Sequence, residues 1–247
     1  MKYLSKLSKN KTFTFKDVIQ IVNDKNIALK TIQNYLSKGY IKKIKRDLYS
    51  AVSFETTDII ANKFDIASSI TATSFVSHHS AFEFYGYYNQ VYSYVDVSSI
   101  TKFNSFEFDD NFYIYTRAID DSFVNTINGV RVTSIERTIV DCINSSGKKC
   151  ELEEILNCIS SITYISFDKM LIYLESLGNK ILYKKVGIIM SLFKKQFDIP
   201  ENFFDTCHKV SDSIKGYFEN SHKETLTYNS EWKIFIYKNI EKLLHKE

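Results

Sequence analysis

Only one proline, Pro200, and seven glycines punctuate the 247 residues. These are the residue types that most readily end helices and strands and populate linkers. A chain with so few of them folds into regular elements joined by short, ordinary connections, and any junction between domains has to be short too. The length is generous for one domain and comfortable for two. Hydrophobic residues make up 44% and aromatics 15%, enough apolar surface for a sizeable core, which excludes wholesale disorder.

Charge is distributed unevenly. Residues 1–50 carry twelve Lys/Arg and three Asp/Glu, a balance of +9, whereas residues 51–247 carry twenty and twenty-six, a balance of −6. A basic segment on an otherwise acidic chain points to a nucleic acid or an anionic membrane as partner. The alternative is a solvated lysine-rich surface. The cysteines, Cys142, Cys150, Cys158 and Cys207, form no CxxC pair and are too scattered for a disulfide framework. Residues 1–10 are basic with no apolar segment behind them. The most hydrophobic run, Val186 to Phe193, is far short of the ~20 residues of a membrane helix. The expectation is a cytoplasmic, reduced protein with no membrane partner.

Within the basic segment, periodicity predicts three helices and a hairpin. The first helix runs from Met1 to about Lys9, with Tyr3, Leu4 and Leu7 as its apolar residues. The second opens at Thr14, with Asp17 three residues on as in a capping box, and places Phe15, Val18, Ile19 and Val22 on one face. Asp24-Lys25-Asn26 separates it from a third helix over about Ala28–Lys38. There Leu29, Ile32 and Leu36 form the expected buried stripe, with Tyr35 at its edge, and Gly39 stands where a terminating glycine belongs. The opposite face carries Lys30, Thr31, Asn34, Ser37 and Lys38 and no acid. Ordinary solvated helix faces mix Glu with Lys. A face of amides, hydroxyls and cations suits a major groove instead, where Asn pairs with adenine and Lys with guanine or phosphate. Tyr40 to Val52 then predicts a two-stranded wing. Its Lys42, Lys43, Lys45 and Arg46 are placed to contact phosphates, which fix position without reading sequence. These nine residues, Lys30 to Arg46, are the expected DNA-binding set, on a winged helix-turn-helix spanning residues 1–53.

The order of these elements, with TIQNYLSKGYIKKIKRDLYS at residues 31–50, resembles the N-terminal winged helix of AbiEi-family antitoxins. Further blocks at residues 67–99, 129–143 and, more weakly, 231–244 are similar to the same family. One departure is Arg46-Asp47-Leu48, where the family's wing usually turns on a glycine; Asp tolerates such a turn. The resemblance implies an antitoxin of a type IV (abortive phage infection) toxin–antitoxin system. Such a protein represses its own operon by binding double-stranded promoter DNA. It also counters a cognate nucleotidyltransferase-like toxin without requiring a stable complex. It is not an enzyme. The alternatives are a metal-dependent nuclease, with Asp96 and Glu107 as metal ligands, or a ligand-sensing transcription factor with the same head.

Residues 54–247 are expected to form a larger α+β domain. Its helices are predicted over Asp58–Ile70, Ser77–Tyr85 (ending at Gly86), 134–144, 151–160, 166–177 and 180–197. Strands are predicted over Val91–Val97, Phe106–Phe108, Phe112–Tyr115 and 129–133, and near Trp232–Ile236, before a terminal helix. The central strands are read as an antiparallel sheet with helix 77–85 packed on it. Lys184, Lys185, Lys194 and Lys195 are read as solvated lysines of one long helix. His78, His79 and Glu83 lack a third ligand at useful spacing, and adjacent His side chains on a helix point about 100° apart, so no metal or cofactor is expected. Arg137 and Asp141, four apart on one helix, are read as an intrahelical ion pair or a buried structural arginine. No phosphate loop, nucleophile elbow or HExxH helix is present.

Overall fold

The computed structural model describes residues 2–219, 226–238 and 240–245. The chain is a mixed α+β structure that divides into two compact units, Met1–Val76 with Tyr92–Val132 and Ser77–Val91 with Thr133–Glu247. No described helix is long and apolar enough to cross a membrane.

The first unit begins with α1 (Leu4–Leu7), a 3₁₀ turn Ser8–Asn10, β1 (Thr12–Phe13), α2 (Phe15–Val22), α3 (Lys25–Ser37), β2 (Ile41–Lys45) and β3 (Leu48–Ala51). The three strands form an antiparallel sheet in the order β1-β3-β2. Leu4, Leu7, Phe13, Val18, Ala28, Ile32, Tyr35, Ile41 and Ala51 make one buried core that ties the helices to the sheet. The predicted capping box is present. Asp17 N donates to Thr14 Oγ1, and Thr14 N donates to Asp17 Oδ2 at 2.7 Å. The third helix starts three residues earlier than periodicity placed it, because Asp24 is an N-cap rather than a break: its carboxylate accepts from Ile27 N at 2.8 Å.

The same unit continues with α4 (Lys63–Ser69), β4 (Phe75–Val76), β5 (Tyr94–Ser99), β6 (Phe106–Phe108), β7 (Asn111–Arg117), β8 (Val124–Ile127) and β9 (Val130–Thr133). The predicted helix from Asp58 is cut to its second half. Ile59 bridges to Val52, Ile60 N donates to Ala51 O, and the helix begins only after Asn62, which forms its own capping box with Asp65. The sheet order is β6-β7-β5-β4-β9-β8. It is mixed, not antiparallel: β5 runs parallel to β7 and β4 parallel to β9, while β6/β7 and β4/β5 are antiparallel. β5 is buried on both faces from Val95 to Ser99, as an interior strand with a parallel neighbour is. The helix that packs on β4 and β5 is α4, whereas α5 (His78–Tyr85) packs on α6 (Ile135–Asn144) within the second unit.

The second unit adds α7 (Leu152–Ser160), α8 (Phe167–Leu177), α9 (Lys180–Ser191), α10 (Lys194–Phe197), α11 (Glu201–Ser211), β10 (Gly216–Tyr217), β11 (Leu226–Asn229), β12 (Ile234–Tyr237) and a 3₁₀ segment Ile240–His245. The predicted helix 180–197 is two helices, separated where Phe193 N turns back to Met190 O. Lys184 is not a solvated lysine. It is 2% exposed, burial lowers its pKa, and its Nζ donates to Trp232 O at 2.8 Å. One turn further along α9, Gly187 leaves the space that the Trp232 ring fills; a Cβ there would lie 2.2 Å from Trp232 Cη2. Gly187→Ala should therefore destabilise the second unit. The overpacking costs about 1–3 kcal/mol, against up to ~1 kcal/mol gained in helix propensity. Trp232 is the only tryptophan in the chain, so a red shift of native-state fluorescence together with a lower unfolding midpoint is the expected result; unchanged emission would contradict it.

Candidate nucleic-acid interface

The candidate interface is built on α3 and the β2–β3 hairpin. The C-terminus of α3 closes as the sequence predicts. Gly39 takes φ +69°, Gly39 N donates to Leu36 O and Tyr40 N to Tyr35 O, and the Tyr35 and Tyr40 rings meet edge-on at 6.0 Å. This double closure and its flanking hydrophobic contact are those of a Schellman motif. It aims the chain directly into β2, and α3 packs against that strand.

The buried stripe of α3 is Ala28, Ile32 and Tyr35, not Leu29, Ile32 and Leu36. Leu29 is 49% and Leu36 36% exposed, and Ile27 is 48% exposed. The helix is rotated because small Ala28 fits close against the core and Tyr35 closes over it, with its hydroxyl accepting from Tyr3 N at 3.3 Å. The outward line consequently runs through Asn26, Lys30, Gln33 and Ser37, spaced i, i+4, i+7 and i+11, and all are exposed. Asn34 is exposed beside this line. Thr31 is half-buried, and Lys38 is exposed at the C-cap. Gln33 and Asn26 share the line with Lys30 and Ser37; the sequence pattern centres the face nearer Asn34, which leaves out Gln33, and starts the helix only after Asn26.

The hairpin turns at Arg46-Asp47, with Asp47 at φ +61° and a register shift between Lys43 and Lys45. Lys42, Lys43 and Arg46 are exposed. Lys45 is not among them. Its Nζ lies over the rings of Phe103, at 5.2 Å, and Phe106, at 5.1 Å, and this burial lowers its pKa. Lys45 is thus a cation–π anchor for the hairpin.

The acids of the first fifty residues explain why the outer face stays cationic. Asp17 is engaged with Thr14 at the start of α2, and Asp24 caps Ile27 N at the start of α3. Asp47 reaches back from the hairpin to accept from Phe15 N at 2.8 Å. Each carboxylate sits at a helix N-terminus, where the helix dipole favours negative charge.

One group of metal-binding residue types comes together among the described residues: His79, Glu154 and Cys158, with ligand atoms within 4.8 Å of one another. It differs from the His78/His79/Glu83 set considered on sequence grounds. Glu154 Oε1 lies 2.9 Å from His79 Nε2 and accepts from Asn89 N and Gln90 N, both at 3.0 Å, and from Cys158 Sγ at 3.5 Å. These donors all meet Oε1 and make it a clamp on residues 89–90, while Glu154 Oε2 is buried without a hydrogen-bond partner among the described residues. Asp96 and Glu107, the metal ligands of the nuclease alternative, belong to no such group among the described residues. His78 is buried, with its Nδ1 2.9 Å from Ser77 Oγ. Arg137 and Asp141 form the i,i+4 pair at 3.3 Å, and the arginine is buried, so both readings of this pair hold together.

No family model matches the chain, and no curated protein matches it. Its fold is similar to that in the crystal structure of the RV2827C protein from Mycobacterium tuberculosis. The TM-score is 0.62 over 98% of this chain and 92% of that one, at 10% sequence identity. At that identity the likeness is one of fold.

Proposed function

We propose that residues 1–53 act as a winged helix-turn-helix that binds duplex DNA, and that the chain is an antitoxin repressing its own operon. The observation that carries the DNA reading is the outward face of α3. It presents Asn26, Lys30, Gln33, Asn34 and Ser37 without a single acid, and Lys42, Lys43 and Arg46 follow on the hairpin. Amides and a cation on a helix fit base edges in the major groove, and hairpin cations fit the flanking phosphates. The antitoxin role, with a nucleotidyltransferase-like toxin as functional partner, rests on the resemblance of residues 31–50, 67–99, 129–143 and 231–244 to AbiEi-family proteins.

Gel retardation on the chain's own upstream region tests the DNA reading. Lys30→Ala or Asn34→Ala should cost about 1–3 kcal/mol on that region and far less on random duplex, whereas Lys43→Ala should weaken both alike. Equal losses on both substrates for all three variants would remove α3 from the groove. Co-expression with an adjacent nucleotidyltransferase-like reading frame tests the second half: the chain should restore growth, and a failure to do so rejects the antitoxin role.

A further inference from the structure

We propose that the outward face of α3 reads A·T base pairs, its amides pairing with adenine and its exposed leucines and isoleucine packing on thymine methyl groups. This rests on the DNA-binding reading above and goes beyond it by naming the base composition recognised. The first observation is the exposure of Ile27, Leu29 and Leu36. Scattered exposed apolar residues are ordinary, but these three lie on either side of one outward line that carries the amides Asn26 and Gln33. Leu29 and Leu36 run along one side of the outward line, and Ile27 lies with Asn34 along the other. In the major groove only thymine offers an apolar group, its C5 methyl, and alkyl side chains are the groups that contact it.

The second observation is the polar chemistry between them. Three amides, Asn26, Gln33 and Asn34, are exposed on α3, and the helix contains no arginine. A side-chain amide is a donor–acceptor pair that matches N6 and N7 of adenine, whereas guanine is read most often by arginine or lysine. Lys30 alone of the two α3 lysines lies on the outward line. The third observation is spacing. Leu29 and Leu36 stand four residues before and three after Gln33, on the same side. Seven residues of helix span about 10.5 Å at 1.5 Å per residue, or about three base steps of ~3.4 Å. Two methyl contacts therefore bracket an adenine contact within one short A·T run.

The test uses the full chain and fluorescence anisotropy with three duplexes of equal length: one with an A·T core, one with a G·C core, and the A·T duplex with every thymine replaced by uracil. The A·T core should bind about 5–150-fold more tightly than the G·C core, the range of one well-read pair. Uracil should weaken binding about four-fold per contacted methyl, the equivalent of the ~0.8 kcal/mol of a buried carbon group. In the double variant Leu29→Ala/Leu36→Ala, whose exposed positions leave the core intact, the thymine and uracil duplexes should converge while the salt dependence persists. Equal binding of all three duplexes overturns the base assignment and leaves DNA binding standing. An A·T preference that uracil does not reduce also overturns it, because no methyl contact is then made and adenine edges or groove shape alone carry the preference. No binding to any duplex overturns both readings.

Discussion

Replacing Lys42, Lys43 and Arg46 together by alanine should lower affinity for every duplex, promoter or random, by a factor on the order of 10²–10³ at 0.1 M salt. Each phosphate neutralised contributes about 0.9 to the slope of log affinity against log salt, because binding releases condensed counterions. Three contacts contribute ~2.7, and one decade below the 1 M reference that is ~2.7 logarithmic units of affinity. The three side chains are exposed, so the variant should melt like the parent, and the loss is one of binding alone. Lys45→Ala is the built-in comparison. Its ammonium is held over Phe103 and Phe106, so the salt slope should hardly change. A triple variant that kept the parent's slope would take the hairpin off the phosphate backbone, whatever happened to total affinity.

What could be read in advance was what is written locally. The Thr14/Asp17 box, Gly39 ending α3, Ser77 and Gly86 bounding α5, and the start of α6 after Ser134 all depend on residues within one turn of each other, and each stands where it was expected. The rotation of α3 depends on something else. Periodicity weights a leucine above an alanine, but a helix pressed against a small core turns its alanine inward because that allows the closest approach, and its leucines are left at the edges. The parallel pairing of β5 with β7 was hidden for a different reason. β6 hairpins back onto β7 through Asp109 and Asp110, both at positive φ, and this local antiparallel signal masks the non-local parallel one. The burial of Lys184 under Trp232 and the meeting of His79 with Glu154, 75 residues apart, are likewise decided by tertiary packing. Of the expected DNA-binding residues, Lys30, Asn34, Ser37, Lys38, Lys42, Lys43 and Arg46 are exposed and Thr31 is half-buried. Lys45 departs because aromatic rings far along the chain capture it, and Gln33 joins the outward line because the buried stripe runs through Ala28 instead of Leu29.

Acidification should destabilise the second unit through His78. Its imidazole is buried at the start of α5 at φ +52°, and burial, reinforced by the charges of Lys149 and Arg137, pushes its pKa down from 6.5 to about 3. Above pH 6.5 the ring is neutral in both folded and unfolded chains and contributes no pH dependence. Below that, the unfolded chain takes up a proton that the folded chain refuses, so stability falls by about 1.4 kcal/mol per pH unit until the folded ring also titrates near pH 3. Between pH 6 and 4.5, a window that lies mostly above ordinary carboxylates, the loss from this one residue is about 2 kcal/mol. His78→Asn isolates it: asparagine tolerates positive φ, keeps a polar atom for Ser77, and does not ionise. Denaturant titrations followed by Trp232, which lies in the same unit, should show the parent losing about 2 kcal/mol more than the variant across that window. The difference between the two chains is the readout, because the other four histidines are common to both. Parallel loss of stability in parent and variant would mean that His78 accepts its proton in the folded state, and the burial that defines the start of α5 would have to be given up.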